Sequence, residues 1–600
     1  MTPNQTFTTR PEIRGTFGVA SSTHWIGSAV GMAMLEKGGN AFDAAVAMGF
    51  VLQVVEPHLN GPGGDMPAIF HSVATGRTEV LCAQGTAPAA ATIEAYRALG
   101  LERVPGSGLL ATVVPGAFDG WMLMLRDHGT MEPAEVLAPA IAYARDGHPL
   151  LPAVSSTIAG LADFFAAEWP SSAAVWCPGG AVPAPHALFR NPDLAATYAR
   201  IAAKATGPSR TARIDAARSA WSHGFVAGSV GRWLETAEAA DATGRRNRGF
   251  LTAADMAGWQ ARSEAPVTLE YHGWTVCKTG PWGQGPVFLQ ALQILRHVDL
   301  AAMDPMGAEF AHAVIEAIKL AWADREAYYG DPAHTDIPLK ALLSHAYGAE
   351  RAALIDPARA AMEQRPGRLP GFEAWAEAAV RRAGERLGLE ISPHTGEPTM
   401  AHLTDPRGDT VHLDVIDRWG NAVSATPSGG WLQSSPVVPG LGFALNSRAQ
   451  MFWLSAGLPS SIAPGRRPRT TLTPTLAHHD GGAILSLGSP GGDQQDQWQL
   501  IWFLRFVHHG LGLQEGLDAP LFHSAHFQSS FHPREARPGE MLIEADFGAE
   551  VVAELRRRGH LVTVAPPRSL GRLTAALRQP DGVLRAGATP RLMQAYAVGR

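Results

Sequence analysis

Gly408-Asp409-Thr410-Val411-His412-Leu413-Asp414-Val415-Ile416-Asp417 is the stretch in which a polar connector turns into a β-strand. Val411 to Asp417 alternates and is rich in β-formers, Arg418-Trp419-Gly420-Asn421 has turn chemistry, and Ala422 to Thr426 returns as a second strand. Upstream, from about Pro366 to Asp409, the chain is polar, with several Pro, Gly and Arg residues and one short helical piece, Phe372 to Gly388. That composition predicts an exposed connection, the kind of segment where chains are cut. Downstream, the apolar run Ala483 to Leu487 enters the small-residue loop Gly488-Ser489-Pro490-Gly491-Gly492-Asp493, and Gln497 to His508 reads as a helix.

Toward the N-terminus the order is helices and then strands. His24 to Lys37 reads as a helix stopped by Gly38-Gly39. Asn40 caps a second helix, Ala41 to Val55, which is apolar almost all round and so belongs in the core; Pro57 ends it. A turn-dense loop, Asn60 to Asp65, leads into a hairpin of Met66 to Phe70 and Thr78 to Cys82. Helix pairs followed by strand pairs predict an α+β protein built in layers rather than a βαβ repeat.

From about Ala87 to Leu269 the chain is alanine-rich and mostly helical, with an exposed charged segment at Thr243 to Arg248. Gly280 to Pro286 introduces a helix from Val287; it lacks the spacing of either phosphate-cradling glycine motif and reads as a tight strand-to-helix connection. Phe310, Val314, Ala317, Ile318 and Ala321 then form one stripe of an amphipathic helix ending at Tyr329-Gly330-Asp331-Pro332.

Composition narrows the function classes. A chain of 600 residues with 46% hydrophobic content buries a large core, and its net charge of −6 with no basic block excludes an electrostatic footprint for nucleic acid. No apolar stretch reaches the roughly 18 residues a membrane span needs, and Met1 to Arg14 does not read as a secretory leader, so a cytoplasmic protein is expected. The three cysteines, Cys82, Cys177 and Cys277, are too scattered for a disulfide framework or a thiolate metal cluster. His478-His479-Asp480, His508-His509, His523, His526 and His532 are ligand types without ligand spacing, so neither a metal nor a cofactor is expected. No GxSxG elbow is present.

Thr410 carries chemistry only under a condition. A hydroxyl needs an adjacent base to act as a nucleophile. If the bond between Asp409 and Thr410 breaks, the new α-amine, with a pKa near about 8, sits on the same residue and supplies that base. Gly491 and Gly492 offer successive backbone N–H groups for a developing oxyanion, unobstructed by side chains.

Several stretches taken together resemble the gamma-glutamyltransferase family: Gly38 to Ala45, Val55-Glu56-Pro57, Gly63-Gly64, Glu316 to Ala321, Gly330-Asp331-Pro332, Gly420 to Ser424 and Gly488 to Gly492, in order along nearly the whole chain. The resemblance implies a four-layer αββα Ntn-hydrolase sandwich formed by two chains cut from one precursor, a large one ending at Asp409 and a small one beginning at Thr410. It maps the nucleophile onto Thr410, the oxyanion donors onto Gly491 and Gly492, a neighbouring hydroxyl onto Ser428, and a pair of substrate-contacting hydroxyls onto Thr470 and Thr471. A dimer of these heterodimers is compatible with it.

The departures bear on the substrate. Where glutathione-type enzymes hold a carboxylate with an arginine, Gln84 precedes Gly85-Thr86-Ala87-Pro88, and the positions that hold the ammonium match Met451 and Gly430. Asn446-Ser447-Arg448, Arg466 to Leu472 and Gly491-Gly492-Asp493-Gln494 look more like the oxamate-amidohydrolase branch, making Arg448 or Arg469 the candidate for a substrate carboxylate, with Asn446, Asp493 and Gln84 as further contacts. The expected activity is cleavage of the amide bond of a small carboxylate-bearing substrate through a Thr410 acyl-enzyme. A glutathione hydrolase or transpeptidase and a processing-dead binding protein are the alternatives.

Overall fold

Two seven-stranded antiparallel sheets form the centre of the molecule in a computed structural model that describes residues 7–384 and 410–600. The first, here sheet I, runs in the order Tyr596–Gly599, Gly18–Ser22, Leu413–Asp417, Ala422–Ala425, Met66–Ser72, Arg77–Ala83, Arg262–Glu264. Sheet II runs Ile13–Gly15, Leu584–Ala588, Thr574–Arg578, Ile484–Gly488, Thr475–His479, Trp274–Lys278, Val267–Tyr271. Both draw central strands from each side of the 385–409 interval, so the parts before and after it share one core.

Strand alternation distributes side chains over three apolar layers. Leu413 and Val415 point outward from sheet I, with Ala20, Phe70 and Val423, onto the helices Trp25–Glu36, Ala41–Val55 and Ala117–His128. Their strand neighbour Ile416 points inward with Val19, Ile69, Val80 and Cys82 to meet Cys277, Leu476, Ala576 and Ala586 of sheet II. Beyond sheet II, Val276, Ala477, Leu485 and Leu577 pack on the helices Pro286–Leu295, Ala308–Tyr328 and Gln495–His509. The resulting order is helices, sheet, sheet, helices, the layering expected from the sequence.

Polar bolts cross the middle layer. Asp414 of sheet I accepts from Ser486 Oγ at 2.5 Å and from Thr574 Oγ1 at 2.7 Å in sheet II, and its Oδ1 lies 3.0 Å from Nε2 of His412. Ser424 Oγ donates to the Leu487 carbonyl at 3.2 Å. A Cβ on Gly488 would fall 1.9 Å from the His412 ring, so the glycine lets the strand of sheet II close over that imidazole.

Local signals placed the first elements well. Asn40 and Asp43 form a capping box at the start of Ala41–Val55, and every residue of that helix is buried. Ala308–Tyr328 buries the predicted stripe, and its opposite, polar side as well, because residues 310 to 328 are all buried. Its polar positions are enclosed in ion pairs such as Lys319 to Glu316 at 2.6 Å and Arg325 to Glu326 at 2.9 Å, so burial extends round the polar side of the predicted stripe. Of the predicted piece Phe372 to Gly388, Glu373–Gly384 is a helix that starts one residue after Phe372; residues 385–388 and Asp409 lie outside the described residues.

Candidate active site

Thr410 lies at the end of the central hairpin of sheet I, in the register set by Leu413 opposite Ala425, which carries on to a bridge between Thr410 and Ser428. Ser428 in turn bridges Asp65, with N–H to carbonyl bonds of 2.8 and 3.0 Å in the two directions. Carrying the Met66 to Ala83 register one pair further sets Gln84 opposite Asp65. Thr410, Ser428, Asp65 and Gln84 thus form one row across the sheet, and alternation places all four on its inward face.

Within the row, Thr410 Oγ1 donates to Ser428 Oγ at 3.2 Å, and both residues are buried. The side chain of Gln495 approaches Thr410 Oγ1 to 3.4 Å. The amide orientation that satisfies both ends has its nitrogen donating to the carbonyls of Thr471 at 3.2 Å and Ser489 at 3.3 Å, which turns the amide oxygen toward the threonine hydroxyl. Gln495 therefore ties the start of sheet I's hairpin to the loop after Ile484–Gly488 and to the Thr470-Thr471 segment. Sequence reading missed it, since a glutamine in a run of Gln and Asp has no motif of its own.

The loop itself is held by glycine geometry. Gly491 has φ 120° and ψ 31°, outside the narrow left-handed well open to other residues, and Gly492 has φ 55°. A Cβ on Gly491 would sit 2.2 Å from the Trp498 ring. Behind the loop, Asp493 accepts from Ser530 N at 2.8 Å and Ser530 Oγ at 2.6 Å and pairs with Arg325. Gln284 Nε2 donates to the Gly492 carbonyl at 3.3 Å, and its own oxygen accepts from Arg325 at 2.8 Å. Asp493, expected as a substrate contact, is thus an anchor of the loop.

The two candidate arginines part company here. Arg469 pairs with Glu326 at 2.5 Å and donates to Ser530 Oγ at 2.9 Å. Burial pushes the Glu326 carboxyl up, but the charges of Arg469, Arg325 and Arg534 outweigh it and hold that group at about 2, so it stays ionised as their counter-charge. Arg448, 1% exposed, donates through Nε to Asp65 at 2.9 Å with its guanidinium over the Trp431 ring at 5.1 Å. Its Nη1 and Nη2 have no hydrogen-bond partner among the described residues.

Other expected contacts are structural ties. Asn446 donates to the carbonyls of Gly63 and Val113 at 2.8 and 3.0 Å and accepts from Val113 N at 3.0 Å, which saturates its amide. Thr470 N donates to the Trp282 carbonyl at 3.0 Å, while the buried Thr471 hydroxyl has no partner among the described residues. Gln84 is buried, neither of its amide atoms has a partner among the described residues, and it lines a cleft of about 300 Å³ with Cys82, Thr86, Asp331 and Arg467. Met451 packs with Trp431 and Phe531.

The histidines singled out in the sequence form no metal cluster among the described residues. A different group, His312, Glu316 and His560, has ligand-type atoms close together. There Glu316 is engaged by Lys319 at 2.6 Å and Arg365 at 3.2 Å, and the two imidazoles hydrogen-bond each other at 2.8 Å, an electropositive setting that does not suit a cation.

Comparison with known proteins identifies the family. The family model described as Gamma-glutamyltranspeptidase matches residues 27–599. The chain belongs to the gamma-glutamyltranspeptidase family. Within it, the Acylase ACY 1 proenzyme of Pseudomonas sp. (strain SE83) is 31% identical, over 96% of this chain and 92% of its own length. The oxamate amidohydrolase proenzyme of Klebsiella pneumoniae is 30% identical, over 96% of this chain and 97% of its own. A solved structure of LmbA2991HD shares 51% identity with a TM-score of 0.91, covering 99% of this chain and 100% of that one. As a gamma-glutamyltranspeptidase-family member the protein is an Ntn-hydrolase, an enzyme acting on amide bonds. No helix among the described residues is long and apolar enough to cross a membrane.

Proposed function

We propose that this family member is an amidohydrolase that matures by cutting its own chain between Asp409 and Thr410, giving a large subunit up to Asp409 and a small catalytic subunit from Thr410 to Arg600. Thr410 Oγ1 attacks the carbonyl of Asp409, the amide becomes an ester by an N-to-O acyl shift, and water hydrolyses the ester. The freed α-amine, with an ordinary pKa near about 8, then takes the proton of the same hydroxyl as it attacks the substrate carbonyl. Backbone N–H groups of Gly491 and Gly492 receive the oxyanion, the amine leaves with the proton, and water releases the acyl group. The substrate is a small amide carrying a carboxylate.

The observation that carries this reading is the contact set of Thr410. Its hydroxyl oxygen lies 3.2 Å from Ser428 Oγ and 3.4 Å from the Gln495 amide, and Gln495 is the same side chain that reaches the glycine loop at the Ser489 carbonyl. That shared contact supports reading Thr410 and the loop carrying Gly491 and Gly492 as parts of one site.

The test is direct. Purified enzyme should run as two polypeptides, the smaller with Thr410 as its first residue by intact mass, and Thr410→Ala should run as one and release no ammonia or amine from a panel of small amides. Turnover by an unbroken chain would overturn the proposal.

A further inference from the structure

We infer that Gln284 is a positioning residue for the glycine loop: its side chain pins the peptide between Gly492 and Asp493, and through it the N–H groups that Gly491 and Gly492 offer to the reaction. The inference rests on the reading of Thr410 as nucleophile with Gly491 and Gly492 as donors, and adds to that site a side chain from a different part of the chain.

A pair of glycines does not hold its own shape. Gly491 and Gly492 both have positive φ, 120° and 55°, and glycine moves between backbone states at little cost. A peptide group is rigid, with its C=O and N–H on opposite sides, so a bond to one end orients the other. The two peptides that flank Gly492 are each held by their carbonyl. Gly491 C=O accepts from Gln494 N at 3.0 Å, a bond inside the turn itself. Gly492 C=O accepts from Gln495 N at the start of the helix Gln495–His509 and from Gln284 Nε2 at 3.3 Å. Of these three bonds only the last ties the loop to another element, 208 positions away.

The Gln284 amide is itself oriented by charge. Arg325 has donors only, and its Nη1 bonds the Gln284 oxygen at 2.8 Å, so the amide nitrogen must face Gly492. The same Nη1 meets Asp493, whose carboxylate also takes Ser530 N at 2.8 Å and Ser530 Oγ at 2.6 Å. Gln284, Arg325 and Asp493 are each 0% exposed, so water does not replace a bond lost among them.

The turn Gly280 to Pro286 presents the side chain. Gly283 bridges Thr470, Thr470 N donates to the Trp282 carbonyl at 3.0 Å, and Trp282 Nε1 donates to Glu264 at 2.8 Å. A Cβ on Gly285 would lie 2.6 Å from Thr279 Oγ1, so glycine there lets the chain double back into the helix Pro286–Leu295 directly after Gln284. This glycine turn, which has no phosphate-cradling spacing, seats one amide behind the loop.

Two substitutions separate the grip from packing. Gln284→Glu keeps an acceptor for Arg325 but sets a second acceptor against the Gly492 carbonyl; Gln284→Met keeps the volume and loses both bonds. On the fastest-cleaved amide of the panel, each should lower kcat by about tenfold or more with KM changed less than about twofold, below the roughly 10²–10³-fold that follows outright loss of a donor. Butylboronic acid turns tetrahedral as Thr410 Oγ bonds to its boron and the hydroxyl proton passes to the α-amine. It should inhibit each variant more weakly by the factor lost in kcat/KM, while inhibition by the product acid of the same amide changes less than about twofold. Wild-type kcat in either variant, equal weakening of the boronic and product acids, or loss of the fold in both variants by urea denaturation would overturn the role of Gln284 and leave Thr410 untouched. A wild type that is never cut and cleaves no amide would refute the reading of Thr410 and the role of Gln284 with it.

Discussion

Replacing Gly491 by alanine asks the most of the loop beside Thr410, and the structure sets the scale of the damage. At φ 120° the backbone lies beyond the left-handed well, so an L side chain pays at least the roughly 1–2 kcal/mol of left-handed strain. The added methyl would also sit 2.2 Å from the Trp498 ring, well inside contact distance, and overpacking of a closed site costs typically about 1–3 kcal/mol. Together these give about 2–5 kcal/mol, enough to force the loop to move rather than absorb the strain. If it moves, the N–H groups of Gly491 and Gly492 leave the position of the oxyanion, and loss of one such donor lowers kcat about 10²–10³-fold. Gly492→Ala is the internal control: φ 55° falls within the left-handed well, so its backbone cost is smaller. The assay is steady-state hydrolysis of an amide substrate alongside a urea unfolding curve. A Gly491→Ala enzyme with wild-type kcat and wild-type stability would refute the argument, as would equal losses in the two variants.

Two further outcomes follow from buried carboxylates. Asp414→Asn replaces an acceptor that receives Ser486 and Thr574 with an amide that can satisfy only one of them through its oxygen, leaving one donor facing an N–H; a loss of about 3 kcal/mol is expected in the urea midpoint, and a change below about 0.5 kcal/mol would contradict the bolt between the sheets. Glu56 is bonded to Thr23 Oγ1 at 2.7 Å, and burial pushes its carboxyl up to about 7, only partly offset by that bond and by Arg572. Because the folded value lies above the ordinary 4.5, the proton stabilises the fold fully below about pH 4.5 and that contribution is lost as pH rises through about 7. Glu56→Gln, which mimics the protonated form, should match the wild type near pH 4.5 and exceed it by about 3 kcal/mol at pH 8; parallel stability profiles would show that the carboxyl is not raised.

The elements whose signals are local were legible in the sequence. Asn40 with Asp43 announced the helix Ala41–Val55, the apolar alternation and turn residues announced the hairpins Met66–Ser72 with Arg77–Ala83 and Leu413–Asp417 with Ala422–Ala425, and the glycines of residues 488–492 announced the loop at the site. Each depends on backbone preference over a few neighbouring residues, which the sequence states directly. What the side chains of Arg448 and Arg469 do was not legible, since the counter-charge that leaves one open and closes the other comes from Asp65 and Glu326, 383 and 143 positions away. The same holds for Asp493 and Asn446, whose partners Ser530, Arg325, Gly63 and Val113 reach them only after the sheets have paired. It holds again for Ala308–Tyr328, whose buried polar side was invisible to periodicity because ion pairs, not apolar residues, line it. Chain-local geometry fixes where a helix or strand forms; the charge and packing around a given side chain are sums over residues from distant parts of the chain, and only the folded molecule brings those together.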